Sequence, residues 1–361
     1  MKKILKLGIL FLAVFALAAA IFAAVTLLKD DTAEEPPETD DTAEEPPETG
    51  FSRTELDAAS VFGDYVFEEK VRQAVGLGKN EEIDLAGLAS VTELDLTYTG
   101  SSTTSDSCVL SLDGLKYFTG LTRLVIDGND VKNLDPVSYC KDLISFSAQG
   151  CSLTDEKAGA VRKLPGLVYL NLKANSLSDL SFLSYLPKLR ILNIGQNELT
   201  DDGVFAEISL PELKTLYINA SGLSSIENIA RLRTLEYLDI SGLSLYDADI
   251  ACLRNLTNLT TVVCRSNTVR KGTVFAELPN LRSLDLYNNE ISDLSNLAGC
   301  AALEELDVSA NLLYKLTGIE NLTSLKRLTA YNNHISSFGV LERMEGLEYI
   351  KVDNENYCKG E

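Results

Sequence analysis

An eleven-residue phrase that recurs every 22 residues constrains this chain more than any other feature. L-x-x-L-x-L-x-x-N-x-φ, with φ Leu, Ile or Val, runs from Leu281 to Ile291 and again from Leu303 to Leu313. A fixed period of that length marks a solenoid, in which each repeat packs only on its neighbours. Aligned on the first apolar residue, the starts fall at Val91, Leu121, Leu143, Leu167, Leu189, Leu213, Leu235, Leu259, Leu281, Leu303, Leu325 and Leu347. From Leu121 onward the spacing is 22 or 24; the first interval is 30, and its surplus lies in TGSSTTSDSC. That polar run has to leave the stack as a loop.

Within each repeat the fourth and sixth positions are apolar and their neighbours are mostly polar. The fourth runs from Leu94 through Phe146, Leu216 and Leu284 to Ile350, the sixth from Leu96 through Ala148, Ile218 and Cys264 to Val352. Two apolar columns two residues apart are the period-two pattern of a short strand with one face buried. Stacked repeats therefore build one parallel sheet with a continuous core behind it. The ninth position is Asn at 129, 175, 197, 267, 289, 311 and 333. Asn both donates and accepts, so it suits a buried turn whose backbone groups need partners. Cys151, Ser221 and Leu243 replace it elsewhere; Cys and Ser are partial substitutes, and at Leu243 the ladder should be irregular. The 24-residue repeats carry LTDEKAGAVRKLPG, LTDDGVFAEISLPE and LYDADIACLRNLTN on the outer side. Acids before an apolar helical spacing predict a short helix in each, while the 22-residue repeats have room only for a 3₁₀-like turn.

The phrase from Leu281 to Leu313, with its 22-residue period, resembles the leucine-rich repeats of the internalins of Gram-positive surfaces. The order of a short helix in GDYVFEEKVRQAVGLG, a charged turn and IDLAGLASVTELDL resembles the amino-terminal cap and first repeat of bacterial leucine-rich repeat proteins. In that helix Asp64 is the candidate N-cap, Val66, Phe67, Val71 and Ala74 the apolar face, and Gly76 or Gly78 the stop. The resemblance covers residues 62–354. It implies an α/β solenoid, a leucine-rich repeat horseshoe of about 12 repeats. The parallel β-sheet lines its concave face and short helices or 3₁₀ turns its convex face. For function it implies adhesion or recognition at a cell surface.

Ahead of the repeats lie two segments of other character. Residues 1–28 open with Lys2, Lys3 and Lys6 and continue as an uncharged run from Leu7 to Leu28. This is either a cleaved signal peptide, with Ala18-Ala19-Ala20 as the cleavage pattern, or an uncleaved signal anchor long enough to cross a bilayer. Either way the lysines stay cytoplasmic and the rest is exported, to be secreted or held at the cell surface through that segment. Residues 29–50 contain a tandem acidic, Pro-rich decapeptide, DDTAEEPPETD-DTAEEPPETG, expected to be a disordered stalk. The organisation expected is thus 1–28 export segment, 29–50 stalk, 51–90 helical cap, 91–354 repeats and 355–361 tail. Net charge is −21, and from Phe51 onward 28 bases face 43 acids. That balance, with no basic run, argues against a nucleic-acid partner.

No chemistry is legible. The single His334 sits in YNNHIS at an exposed turn, and no C-x-x-C, G-x-S-x-G, phosphate-loop or H-E-x-x-H motif occurs. No enzyme activity, cofactor or metal is expected. Of seven cysteines, Cys140, Cys151, Cys252, Cys264 and Cys300 read as core, whereas Cys108 in the inserted loop and Cys358 after the last strand are the ones free to pair or be modified.

What remains is surface. The third, fifth and seventh positions of each strand point to the concave face, and six of fourteen tyrosines fall in those columns. Tyr and Arg are the usual anchors of protein interfaces. The middle repeats gather Tyr169, Asn171, Lys173, Tyr217, Asn219, Tyr237, Asp239, Arg265 and Tyr287 as the candidate partner-binding patch. The expected function is an exported surface protein that binds a protein, or a glycan, through this face. The alternative is an intracellular regulatory scaffold, since 22-residue repeats also resemble the phosphatase-binding kind.

Overall fold

The computed structural model describes residues 52–100 and 107–360. The export segment at 1–28, the stalk at 29–50 and most of the TGSSTTSDSC insertion lie outside the described residues. Twelve three-residue strands form one sheet in sequence order, all pairs parallel. They are β1 (Glu93–Asp95), β2 (Arg123–Val125), β3 (Ser145–Ser147), β4 (Tyr169–Asn171), β5 (Ile191–Asn193) and β6 (Thr215–Tyr217), then β7 (Tyr237–Asp239), β8 (Thr261–Val263), β9 (Ser283–Asp285), β10 (Glu305–Asp307), β11 (Arg327–Thr329) and β12 (Tyr349–Lys351). Strand n belongs to repeat n, and equivalent positions pair across every interface, as Leu216 does with Leu238. Register cannot slip without moving the fourth-position residue out of the core. Every fourth- and sixth-position side chain is buried in one continuous hydrophobic core.

The Asn column joins the repeats end to end. Asn289 Nδ2 donates to the Cys264 carbonyl of the preceding repeat at 2.8 Å and to Leu286 at 3.1 Å, while its Oδ1 accepts from Val269 N–H at 3.1 Å. Asn175, Asn197 and Asn311 repeat the pattern. The substitutes diverge. Cys151 Sγ takes the equivalent carbonyl, Ile126, at 3.1 Å. Ser221 Oγ is buried and has no hydrogen-bond partner, so Ser does not replace Asn there: its side chain is one atom group too short to reach the preceding repeat. Leu243 is buried as an apolar plug, and the next Asn, Asn267, reaches back to its N–H at 3.2 Å. Two adjacent repeats therefore lack the bridge.

A second column was not legible in the apolar pattern. The eighth residue of repeats 2 to 11 has a left-handed backbone, not only at Gly128, Gly150 and Gly242 but at Ala174, Gln196, Ala220, Ser266, Asn288, Ala310 and Asn332. A side chain there costs about 1–2 kcal/mol. In repeats 2 to 10 the position is held because its N–H donates to the seventh-position carbonyl of the following repeat, as Ala174 does to Gly195 at 3.0 Å and Ala310 to Tyr331 at 2.8 Å; Asn332 donates to the Asp353 carboxylate instead.

On the convex side the 22-residue repeats turn through 3₁₀ segments such as Asn228–Arg231. Two of the longer repeats contain one α-helical turn, α3 (Asp155–Ala158) and α4 (Val204–Glu207). The third does not: Asp249–Asn255 is a seven-residue 3₁₀ helix. The acids also work differently from expectation, since they accept N–H groups of the next repeat. Asp155 takes Ser178 and Asp179, Asp202 takes Asn228 and Ile229, and Asp247 takes Arg270, Lys271 and Gly272.

Both ends are covered. Helix α1 (Arg53–Ala59) starts with a Ser52–Glu55 capping box, and α2 (Tyr65–Val75) is capped by Asp64 and stopped by left-handed Gly76. Val66, Phe67 and Val71 are buried, but Ala74 is exposed; Val75 packs on the core instead. Phe67 meets Phe62 and Phe118 edge-on at 5.2 and 6.1 Å. At the other end the residues after β12 fold back. Lys359 pairs antiparallel with Ile350, and Tyr357 covers Phe338 at 5.5 Å. Cys108 is not a loop thiol: it is 5 % exposed, and the Arg53 guanidinium binds its carbonyl at 3.1 Å. Cys358 is exposed.

Candidate functional site

The period of two in each strand aims the third, fifth and seventh side chains at the concave face, and hydrogen bonds then decide how each one lies. Fifth-position Asp and Asn close the strand end. Asp95, Asn171, Asn193, Asp239, Asp285 and Asp307 each accept the backbone N–H two residues on, at 2.8–3.1 Å. Much of that column is therefore turn chemistry. Asn171 is bound further: its amide donates to Ser147 Oγ at 3.0 Å and Gln149 Oε1 at 3.3 Å, which leaves it buried. Its neighbours Tyr169 and Lys173 are half-buried.

The centre of the face is aromatic. The rings of Tyr217 and Tyr237 are 4.9 Å apart at 44°. Burial pushes the Tyr217 phenol up to about 12 and the Tyr237 phenol upward as well. Asp239, beside them, is held above its ordinary range by burial, although Ser241 hydrogen bonds pull the other way. Asn219 lies across Gly195, which has no room for a Cβ against it.

Downstream a charged ladder begins. Arg265 Nε binds Asp285 Oδ2 at 2.6 Å, and its guanidinium stands 6.0 Å from the Tyr287 ring centre. Burial works against the Arg265 charge, but Asp285, Asp307 and Asp239 outweigh it and raise its pKa. Tyr287 and Tyr331, two repeats apart, come within 6.3 Å of each other, and Lys351 stands 4.9 Å from the Tyr331 ring. Ser309, the seventh-position residue between them, is fully buried. Its small side chain is what lets the two rings meet.

The nine residues singled out by sequence thus divide into three groups. Tyr169, Asn171 and Lys173 sit with Ser147 and Gln149; Tyr217, Tyr237, Asp239 and Asn219 form the centre; Arg265 and Tyr287 belong to the ladder. Tyr331, Lys351 and Asp285 are part of the same surface; the sequence placed them in the concave columns but not in the candidate patch. Tyrosines 44 residues apart with a small residue at the matching position between them are the signal that would have found Tyr331. Among the described residues no three His, Cys, Asp or Glu side chains are grouped to hold a metal ion. His334 is exposed and stacks on Tyr314 at 5.4 Å. Burial pushes the thiols of Cys140, Cys151, Cys264 and Cys300 up to about 12, and that of Cys252 to about 11, far from a reactive thiolate.

Comparison with known proteins agrees with this geometry. Residues 279–323 match a family model described as leucine-rich repeats in two copies, and residues 185–206 match a single leucine-rich repeat. The crystal structure of an internalin from Listeria monocytogenes is 26% identical over 85% of this chain and 86% of that one, with a TM-score of 0.69. The chain is an internalin-like leucine-rich repeat protein. A leucine-rich repeat protein of Leptospira interrogans shares the fold at 20% identity, covering 75% of this chain and 80% of that one, with a TM-score of 0.51. So does TLR13, solved in complex with ssRNA13, at 20% identity over 77% of this chain and 42% of that one, TM-score 0.62. No curated protein sequence matches significantly. Leucine-rich repeat solenoids are in general protein-interaction domains. Among the described residues no helix is long and apolar enough to cross a membrane.

Proposed function

We propose that this solenoid captures a protein partner on its concave face as an exported, cell-surface recognition protein. The observation that carries the reading is the surface from Tyr217 to Tyr331, where rings and one guanidinium are already held by their neighbours. Fixed aromatic and Arg side chains lose little rotamer entropy on binding, which is what an interface anchor needs. Export is supported by the lysines at 2, 3 and 6 and the uncharged run from Leu7 to Leu28. The internalin likeness fits the same role. Replacing Tyr217 and Tyr287 with alanine spares the more deeply packed Tyr237. The double variant should melt within a few degrees of the parent and capture its partner from envelope or host extracts about tenfold more weakly. Unchanged capture removes the concave cluster as the binding surface. Protease treatment of intact cells tests export: a solenoid that survives until the cells are lysed is internal.

A further inference from the structure

On the opposite, convex side, a cleft of about 950 Å³ opens between the outer turns of repeats 6 and 7. It exists because those turns present small side chains to each other, Ala230 from one and Ala248 and Ala251 from the other. Repeat 7 also carries the two extra residues of a 24-residue repeat, and these are the two repeats without an Asn bridge. Three guanidiniums, Arg231, Arg233 and Arg254, line the cleft. Arg254 is loosely placed, with Nε on the Ala251 carbonyl at 2.8 Å and Glu277 3.8 Å away.

The other two are not held by an ion pair. Several flank bases are paired with a carboxylate on the next repeat, as Arg190 is with Glu212 and Lys214 with Glu236. Among the described residues Arg231 and Arg233 meet neither a carboxylate nor a ring. Two acids also line the cleft. Asp249 accepts Tyr246 N–H at 2.8 Å and is thereby committed to the turn. Glu227, four residues before Arg231, is exposed and competes for it.

We propose that this cleft binds a tetrahedral oxyanion, a phosphate ion or phosphate ester, with Arg231 and Arg233 as its principal ligands and Arg254 completing the cationic rim. A guanidinium fork matches two oxygens of such a group, and the volume exceeds what a bare ion fills, leaving room for an ester substituent. This site is independent of the concave face.

The test titrates the full chain with inorganic phosphate and, separately, with phenyl phosphate, at constant ionic strength against chloride. Saturable one-site binding of either probe is expected, tighter for phenyl phosphate if an ester is the natural ligand and tighter for phosphate if the ion is. Arg231→Ala with Arg233→Ala should weaken it about tenfold or more, as the loss of charge-assisted bonds does. Glu227→Gln should strengthen it, and Tyr217→Ala should leave it unchanged. Non-saturable binding, or equal binding by the double-arginine variant, overturns the assignment.

Discussion

The Asn column shows what one side chain contributes in a stack. Each amide reaches the preceding repeat twice, so its loss orphans both a carbonyl and an N–H there. Seven natural Asn residues show that the site accepts the longer side chain, whereas Ser221 Oγ is buried without a partner. Ser221→Asn should therefore stabilise the protein by about 1 kcal/mol, and Asn289→Ala should cost about 2–3 kcal/mol, since buried groups are left unmade. Urea denaturation of the two variants measures both; a destabilising Ser221→Asn would mean that repeats 6 and 7 need their looser contact. The columns at positions four, six and nine were readable because they repeat one chemistry. The left-handed eighth position was not: Ala, Gln, Ser, Asn and Gly all occupy it, because a backbone hydrogen bond and not the side chain selects its conformation.

Among the elements, the amino-terminal cap is the one whose stability hangs on a single residue. Asp64 accepts Phe67 N–H at 2.9 Å as the N-cap of α2. It also binds the Arg53 guanidinium at 2.9 Å and the N–H groups of Leu110 and Ser111 at 2.7 and 3.0 Å. It is 1 % exposed. One carboxylate thus ties α1, α2 and the segment that returns from the inserted loop. Its N-cap role follows from spacing, but the contacts to Arg53 and to residues 46 and 47 positions away are long-range and invisible in sequence. Asp64→Ala leaves the N–H groups of Phe67, Leu110 and Ser111 without their acceptor, while Arg53 keeps Asp57, and should cost about 3 kcal/mol. Amide exchange should show the loss first in residues 53–75 and the first repeat; uniform loss along the stack would show that the cap is not a separate unit.

At the scale of the whole molecule, stability depends on pH through two opposed sets of carboxylates. Burial raises Asp127, Asp239 and Asp307 on the concave face. Each is more protonated folded than unfolded just above the ordinary Asp range, so its unfavourable contribution grows as pH rises through its folded pKa. Glu68 and Asp155 are lowered: burial works against this, but Arg72 and Ser60 hold the first, and Asp179 and Ser178 the second. Their stabilisation is present above the ordinary carboxylate range and is lost as pH falls through their folded values. Asp239→Asn keeps the acceptor that Ser241 N–H needs, as Asn171 and Asn193 do in other repeats. The variant should melt higher than the parent near pH 7, with the gap narrowing as pH falls toward the ordinary Asp value of about 4. A gap that widens on acidification would show that Asp239 is stabilising as an anion. That outcome would also weaken the picture of a concave face whose acids are crowded by burial.

Sequence alone determined the repeat, its register and which face would be polar, because those follow from side-chain chemistry at a period the chain itself displays. It also placed six tyrosines on the concave columns. Only the tertiary structure decided which of them meet. Tyr217 reaches Tyr237 one strand away, whereas Tyr287 reaches past a buried Ser309 to Tyr331, and Asn171 turns inward to Ser147 and Gln149. The convex cleft with Arg231 and Arg233 has the same origin, since it depends on small residues from two repeats facing each other. Periodicity specifies what each position is made of. Contacts between repeats depend on rotamers, side-chain size and the hydrogen bonds already taken, and these exist only once the stack has formed.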